Sequence, residues 1–321
     1  MKHIFIINPA AGNRTAEKRF LAQILSCVKA EELDYEIHRT TGPGEAESFI
    51  RTRCEEFPDT IRFYACGGDG TLNEVLNGAF GYKNAEITVI PAGTGNDFVR
   101  NFPSPEGFLN LAELIKGSVK PIDIMSYAIF DDNSDIQAAV IEKRFALNMC
   151  NFGFDSDVVA RAATLKTKPF IGGTMAYIGG VFITLMRKKA LKLSLRFDDG
   201  RVLYEKILLT AVANGAYCGG GFKSAPKSEV DDGLLDIIIV RDMSRRTFLS
   251  LVGKYHNGTH MEDKRAEDII LYKHCRSAEI SSRTFMNMAI DGEVKRIKRA
   301  RVEILPKAIN FCFPVRYPNP A

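Results

Sequence analysis

The sequence predicts two domains of different class, a doubly wound α/β domain followed by a β-sandwich-like domain, and three observations carry that expectation. At 321 residues the chain exceeds the length at which one hydrophobic core stops growing. Its first third alternates short apolar runs with helical spacing, the signature of a parallel sheet covered on both faces. From about Met125 onward, strand follows strand with turn signals between them.

In chain order, Ile4–Ile7, Tyr35–Arg39, Ile61–Cys66 and Ile87–Ile90 are the expected strands of the first domain, each rich in β-branched or aromatic residues. Between the first two, Phe20, Leu21, Ile24, Leu25 and Val28 repeat at helical spacing within Thr15–Ala30. In the second half Phe145, Leu147 and Met149 alternate, as do Leu193, Leu195 and Phe197. The latter run turns at Asp198-Asp199-Gly200 into Val202–Val212. Leu234–Val240, Ala278–Ser281, Phe285–Ile290, Val302–Leu305 and Ala308–Phe313 continue the strand pattern, and only Gly172–Lys189 and Ser244–Asn257 show helical spacing there. The expected domains are residues 1–125, 126–305 and 306–321, the last a strand returning to the first domain. The polar loop Asp131-Asp132-Asn133-Ser134-Asp135 lies beside the first boundary.

Composition excludes several function classes. A net charge of +4, from 43 basic and 39 acidic residues, is too mild for a protein whose work is coating nucleic acid. The seven cysteines are scattered with no C-x-x-C pair, so neither a disulfide framework nor a thiolate zinc site is indicated, and a reducing cytoplasm is expected. His256 and His260 are four apart, but Asn257 and Gly258 interrupt the helix that a zinc pair requires. The apolar run before Asn8 is too short for a signal-peptide core. Pro169–Met186 is uncharged over 18 residues, the lower limit for a membrane span; its four glycines favour a buried or surface-docked helix.

The most informative segment is Ile61–Phe80. A buried strand runs straight into Gly67-Gly68-Asp69-Gly70, and a helix with one apolar face (Leu72, Val75, Leu76, Ala79) follows. Thr71 and Glu74 stand at capping-box spacing. Glycines there let backbone N–H groups approach a ligand, and the helix N-terminus favours phosphate. The nucleotide motifs G-x-x-x-x-G-K-[ST] and G-x-G-x-x-G are absent, as is the protein-kinase set. Three further strand ends repeat the theme: Asn8-Pro9-Ala10-Ala11-Gly12, Thr40-Thr41-Gly42 and Pro91-Ala92-Gly93-Thr94-Gly95-Asn96-Asp97-Phe98. In a doubly wound sheet these ends converge on one edge, so a single mononucleotide site is more economical than four unrelated turns.

This ordered set resembles the diacylglycerol kinase catalytic-domain family, most closely its bacterial lipid kinases, with sphingosine and ceramide kinases as more distant relatives. Asn151-Phe152-Gly153-Phe154-Asp155, Pro226–Leu235 and Asp291-Gly292-Glu293 extend the resemblance along the chain. It implies ATP and Mg²⁺ as cofactors. The ATP contacts it implies are Asn8, Pro9, Ala10, Ala11, Gly12, Thr40, Gly67, Gly68, Asp69, Gly70, Thr71, Leu72, Asn73 and Thr94, with Asn96 in the same loop. Arg14 stands within reach of phosphate. Asp69, Asp97 and Asp123 would hold Mg²⁺ largely through water, as suits an ion reluctant to dehydrate. Glu293, with Asp291 close behind, would be the general base or part of its network, since residues two apart on a strand can face one side. A second, structural Mg²⁺ site would use the Asp232 side chain and the Glu229 and Leu234 carbonyls.

The implied partner is a lipid at the inner face of the membrane, met peripherally, with no nucleic acid and with a homodimer allowed. Pro169–Met186, flanked by Lys166, Lys168 and Arg187-Lys188-Lys189, suits surface docking, and Lys295, Arg296, Lys298, Arg299 and Arg301 form a second basic cluster. The leading expectation is phosphorylation of diacylglycerol to phosphatidate. Alternatives are a kinase for phosphatidylglycerol or a sphingoid base, an NAD kinase, and a non-catalytic regulator.

Overall fold

The computed structural model describes residues 1–12, 16–131, 139–166, 184, 190–291 and 293–315. The chain forms two compact units, one of Met1–Asp123 joined by the residues from Lys307 on, the other of Ile124–Pro306. Arg14, the 132–135 part of the acidic loop, Gly292, and the 169–189 docking segment apart from Thr184 lie outside the described residues. Among the described residues no helix is long and apolar enough to cross a membrane.

The first unit runs β1 (Lys2–Ile7), α1 (Ala16–Ala30), β2 (Tyr35–Arg39), α2 (Glu45–Glu56), β3 (Ile61–Gly67), α3 (Asp69–Ala79), β4 (Ala85–Pro91) and α4 (Leu111–Ile115). Its strands lie in the order β2-β1-β3-β4, all parallel, with Phe63 opposite both Ile4 and Ile87. Ile4, Phe5, Ile6 and Ile7 are all fully buried, because a parallel sheet between helices has no wet face. Of the five-residue stripe expected on α1, Phe20, Ile24 and Val28 bury, Leu21 is half-buried and Leu25 is exposed, which narrows it. The returning C-terminal residues extend the sheet, with Phe311 opposite Ile87 in parallel. Phe311 and Phe313 pack edge-on against Phe98 and Phe102 at centroid distances of 5.4 and 5.1 Å. Thr88 Oγ1 donates to the Cys312 carbonyl at 2.7 Å. Aromatic packing and hydrogen bonding thus hold the last strand to the unit it left.

The second unit continues β5 (Ser118–Phe130) into β6 (Val140–Ala146), β7 (Met149–Gly153), α5 (Phe154–Lys166), β8 (Leu191–Phe197), β9 (Val202–Ala213), β10 (Leu235–Arg241), α6 (Arg245–Asn257), β11 (Ile270–Cys275), β12 (Ser277–Ile290) and β13 (Glu293–Phe313). Its ladders are antiparallel. β7 and β8 share one lane between β9 and β12: Gly153 stands opposite Leu209 and Leu191 opposite Ile207, so the chain leaves the sheet and re-enters it in line. Met125 and Tyr127 of β5 share a core cluster with Ile237 and Ile239 of β10, so strands far apart in the pairing order close over one interior. The opposite face of β9 and β10 is covered by α5 and α6 through Phe154, Val158 and Phe248.

Three expectations need correction. Phe145, Leu147 and Met149 belong to two strands, with Leu147 in the connection. Ala278–Ser281 and Phe285–Ile290 are one strand with a register shift between Ser281 and Met286, and Phe285 is exposed rather than part of a buried run. Helix α5 was not expected, because FDSDVVARAATLK has little apolar periodicity. It forms because Gly153, at φ +85°, turns the strand sharply, and Phe154 and Val158 then bury one helical turn apart.

Candidate functional site

In the first unit the strand-end loops are knitted together by their own backbones. Ala92 N–H donates to the Gly67 carbonyl at 2.8 Å, tying the loop after β4 to the loop after β3. A Cβ on Gly93 would lie 2.6 Å from the Gly68 Cα, so the two chains touch where any side chain would part them. Asn8 Nδ2 donates to Thr71 Oγ1 at 3.1 Å, and Asn8 Oδ1 accepts from Ala10 N–H at 3.0 Å. Thr40 N–H donates to the Ile7 carbonyl at 2.9 Å. Asn96, at φ +50°, both accepts from Gly93 N–H and donates to its carbonyl, each at 2.8 Å. The four strand ends marked in the sequence therefore lie side by side on one rim.

Thr71 and Glu74 do not make the expected capping box. Helix α3 starts at Asp69 with Gly68 as its N-cap and no side-chain cap, and the Thr71 hydroxyl serves Asn8 instead. An uncapped helix start beside glycine backbone suits an anion. Within the expected contact set, the Leu72 side chain is buried in the core, whereas Ala10, Gly70 and Thr94 are exposed.

The acids of this unit divide. Asp69 Oδ1 accepts from Phe98 N–H at 3.2 Å; burial pushes its carboxyl upward while the amides of residues 96–98 oppose the shift. Asp97 is nearly buried, with Arg100 Nε 3.7 Å from its Oδ1. The Asp69 carboxylate thus reaches the backbone of the loop that carries Asp97, and two acids on facing loops, one disfavoured by burial, suit a divalent cation. Asp123 is engaged elsewhere. Fully buried, it accepts from Lys307 N–H at 2.7 Å and fixes that residue at φ +51°, where the chain re-enters the unit.

In the second unit the two acids of the Asp291–Glu293 corner part company. Asp291 has φ +44° and is not in strand conformation, so strand spacing does not set how the pair is arranged. Its Oδ2 accepts from Leu147 N–H at 2.9 Å, and its Oδ1 accepts from Asn148 and Met149 N–H at 3.2 and 3.1 Å. Its own N–H donates to the Met149 carbonyl at 3.3 Å. Glu293 is exposed. Of the two, Glu293 is the carboxylate left open to solvent.

At the Asp232 loop, Asp232 Oδ1 accepts from Leu234 N–H at 2.9 Å, and Glu229 and Asp232 are exposed. Behind it, burial pushes the Asp236 carboxyl upward; Ser228 and His274 Nε2, the latter at 3.0 Å, pull it down, and the nearby Asp232 charge raises it further. An exposed carboxylate with a buried one behind it fits a hard cation. Among the described residues no three His, Cys, Asp or Glu side chains gather as a metal site, so such a cation would rest largely on carbonyl oxygens.

The sequence assigned no role to one further feature of this unit. A small apolar pocket lies between α5, α6 and the sheet, walled by Phe154, Val158, Leu208 and Phe248. Asp155 also lines it, with its Oδ2 accepting from Tyr255 Oη at 2.8 Å. Burial raises the Asp155 carboxyl to about 6, with the Tyr255 bond opposing. Folding therefore disfavours its ionised form: the cost is absent below about pH 4 and complete above about pH 6. Asp155→Asn, which can still accept from Tyr255, is expected to be more stable than wild type by roughly 3 kcal/mol at pH 8 and to lose that advantage at pH 4. Urea unfolding at the two pH values checks it; a constant difference would mean Asp155 stays ionised without penalty.

Residues 2–127 match the diacylglycerol kinase catalytic domain, and residues 148–313 match the YegS C-terminal NAD kinase beta sandwich-like domain. Among curated relatives, the diacylglycerol kinase of Bacillus subtilis (strain 168) is 29% identical over 90% of this chain and 88% of its own. "Probable lipid kinase YegS-like" of Shewanella frigidimarina (strain NCIMB 400) is 30% identical over 85% and 84%. A solved diacylglycerol kinase structure from Bacillus anthracis str. Sterne superposes with a TM-score of 0.67 over 99% of this chain and 98% of that one, at 22% identity, a likeness of fold.

Proposed function

The chain belongs to the diacylglycerol kinase catalytic-domain family, and on that premise we propose that it transfers the terminal phosphate of ATP to a lipid hydroxyl, with diacylglycerol the first candidate. The observation that carries this reading is the knitted rim of the first unit, where the Gly68 and Gly93 backbones touch and Asp69 accepts from Phe98 N–H, the residue after Asp97. Backbone amides there and the start of α3 would cradle the phosphates, while the Asn8–Thr71 bond holds the loops in place. Asp69 and Asp97 would hold Mg²⁺, which when bound offsets charge on the β- and γ-phosphates. In the second unit, which we read as the sandwich-like partner domain, Glu293 takes the proton of the attacking hydroxyl and Asp291 fixes the corner that carries it. We read the enzyme as cytoplasmic and peripheral at the inner membrane face.

Labelled ATP with diacylglycerol, phosphatidylglycerol and a sphingoid base in mixed micelles, with NAD⁺ in parallel, tests the assignment. Label in phosphatidate is expected. Label in NADP, or in no acceptor, would overturn it.

We also propose that the Asp232 side chain and the Glu229 and Leu234 carbonyls hold a structural cation. Chelation by EDTA is then expected to lower the melting temperature of wild type by several degrees, and Asp232→Ala to melt at the chelated value with no EDTA response. An Asp232→Ala protein as stable as wild type would refute this site.

A further inference from the structure

We propose that the bulge around Phe285 is a membrane wedge, a phenylalanine ring that enters the headgroup layer of an anionic bilayer with Arg296 and Lys298 beside it. The proposal rests on the lipid-kinase reading and names the surface by which that enzyme meets its substrate.

The β12–β13 register creates the wedge. Ser281 pairs with Arg299 and Met286 with Ile297, so Ser282, Arg283, Thr284 and Phe285 together face Lys298 alone. Surplus residues on one strand push outward from a ladder. Thr284 N–H bonds back to Ser282 Oγ at 3.2 Å and closes the excursion locally. Arg283, Thr284 and Phe285 are consecutively exposed, and among the described residues Phe285 is the one phenylalanine in the set of exposed large apolar side chains, at 48%. A sheet that buries Met286, Met288 and Ile290 has no packing reason to leave its neighbouring ring in water.

The surrounding charge selects the occupant. Of the basic cluster on β13, Lys295 pairs with Glu142, Arg299 with Glu279 and Arg301 with Glu303. The Arg296 and Lys298 cations lie 5.0 and 4.7 Å from the Phe285 centroid, and Arg283 adds a third positive charge at the tip. A single protruding ring ringed by cations is too small for a stable protein interface, which needs a broad patch. It matches the boundary between anionic headgroups and acyl chains. Arg296 is three residues along β13 from Glu293, about 10 Å at the rise of an extended chain, so seating the wedge would bring Glu293 close to the bilayer surface.

The test is sedimentation of the full chain with vesicles of phosphatidylglycerol and phosphatidylcholine, without ATP. Phe285→Ser is expected to weaken binding about tenfold, and Phe285→Trp to retain it. Arg296→Gln is expected to weaken binding about fivefold on anionic vesicles and not at all on pure phosphatidylcholine. Turnover of a short-chain, water-dispersed diacylglycerol should stay at the wild-type value in all three. Wild-type binding to anionic vesicles by Phe285→Ser would overturn the wedge, as would an equal loss of turnover on the dispersed substrate. Phe285-dependent vesicle binding by a chain that phosphorylates no lipid would uphold the wedge and sink the catalytic reading.

Discussion

Glu293→Gln is expected to lower kcat by at least about 10³-fold while leaving ATP affinity within about twofold of wild type. The substitution keeps the size and hydrogen-bonding reach of the side chain and removes only its ability to accept a proton. Glu293 is exposed at the start of β13, so nothing in the packing depends on its charge, and the melting temperature should not move. A loss confined to kcat marks an interaction made in the transition state rather than in substrate binding. ATP titration by calorimetry beside steady-state kinetics on the dispersed substrate reads both quantities. Turnover within tenfold of wild type would remove Glu293 from the base role; a parallel loss of ATP affinity would recast it as a binding residue.

How far the sequence carried this picture depended on whether a side chain's surroundings repeat along the chain. β1 and β3 were legible because helices on both faces demand unbroken apolar runs such as Ile4–Ile7. β8 was legible because Leu193, Leu195 and Phe197 bury on one face while Lys192 and Arg196 stay wet or partly wet. Helix α5 was hidden because its partners come from several elements: Phe154 and Val158 meet the sheet, Tyr255 of α6 bonds Asp155, and Asn287 of β12 bonds Asp157. The glycine-lined strand ends announced a phosphate-binding edge, yet which hydroxyl meets which amide did not follow, and Thr71 turned to Asn8 across 63 positions rather than to its own helix. Roles for Glu293, Asp97 and Asp232 came from the family resemblance, since an isolated acid in a turn has no pattern to read. Phe285 shows the limit most clearly. Its strand alternates correctly from Met286 onward, and only the pairing register places the ring outside.

Asp291→Ala is expected to cost about 3 kcal/mol of stability and to reduce kcat by one to two orders of magnitude, a pattern distinct from that of its neighbour. Three backbone N–H groups, of Leu147, Asn148 and Met149, lose a charged acceptor in a half-buried corner, and water can replace it only in part. Alanine must also sustain φ +44°, a conformation that aspartate and asparagine tolerate better, which adds about 1 kcal/mol. Asp291→Asn should recover part of both losses, because its amide oxygen can still accept while its NH₂ meets donors it cannot satisfy. Urea unfolding of the full chain gives the stability, and kinetics on the dispersed acceptor gives kcat. If Asp291 only positions the corner, loss of activity should follow loss of order, with asparagine between wild type and alanine on both axes. A fully stable Asp291→Ala protein as inactive as Glu293→Gln would instead place the Asp291 carboxylate in the chemistry, and the three amides it faces would then be incidental to its role.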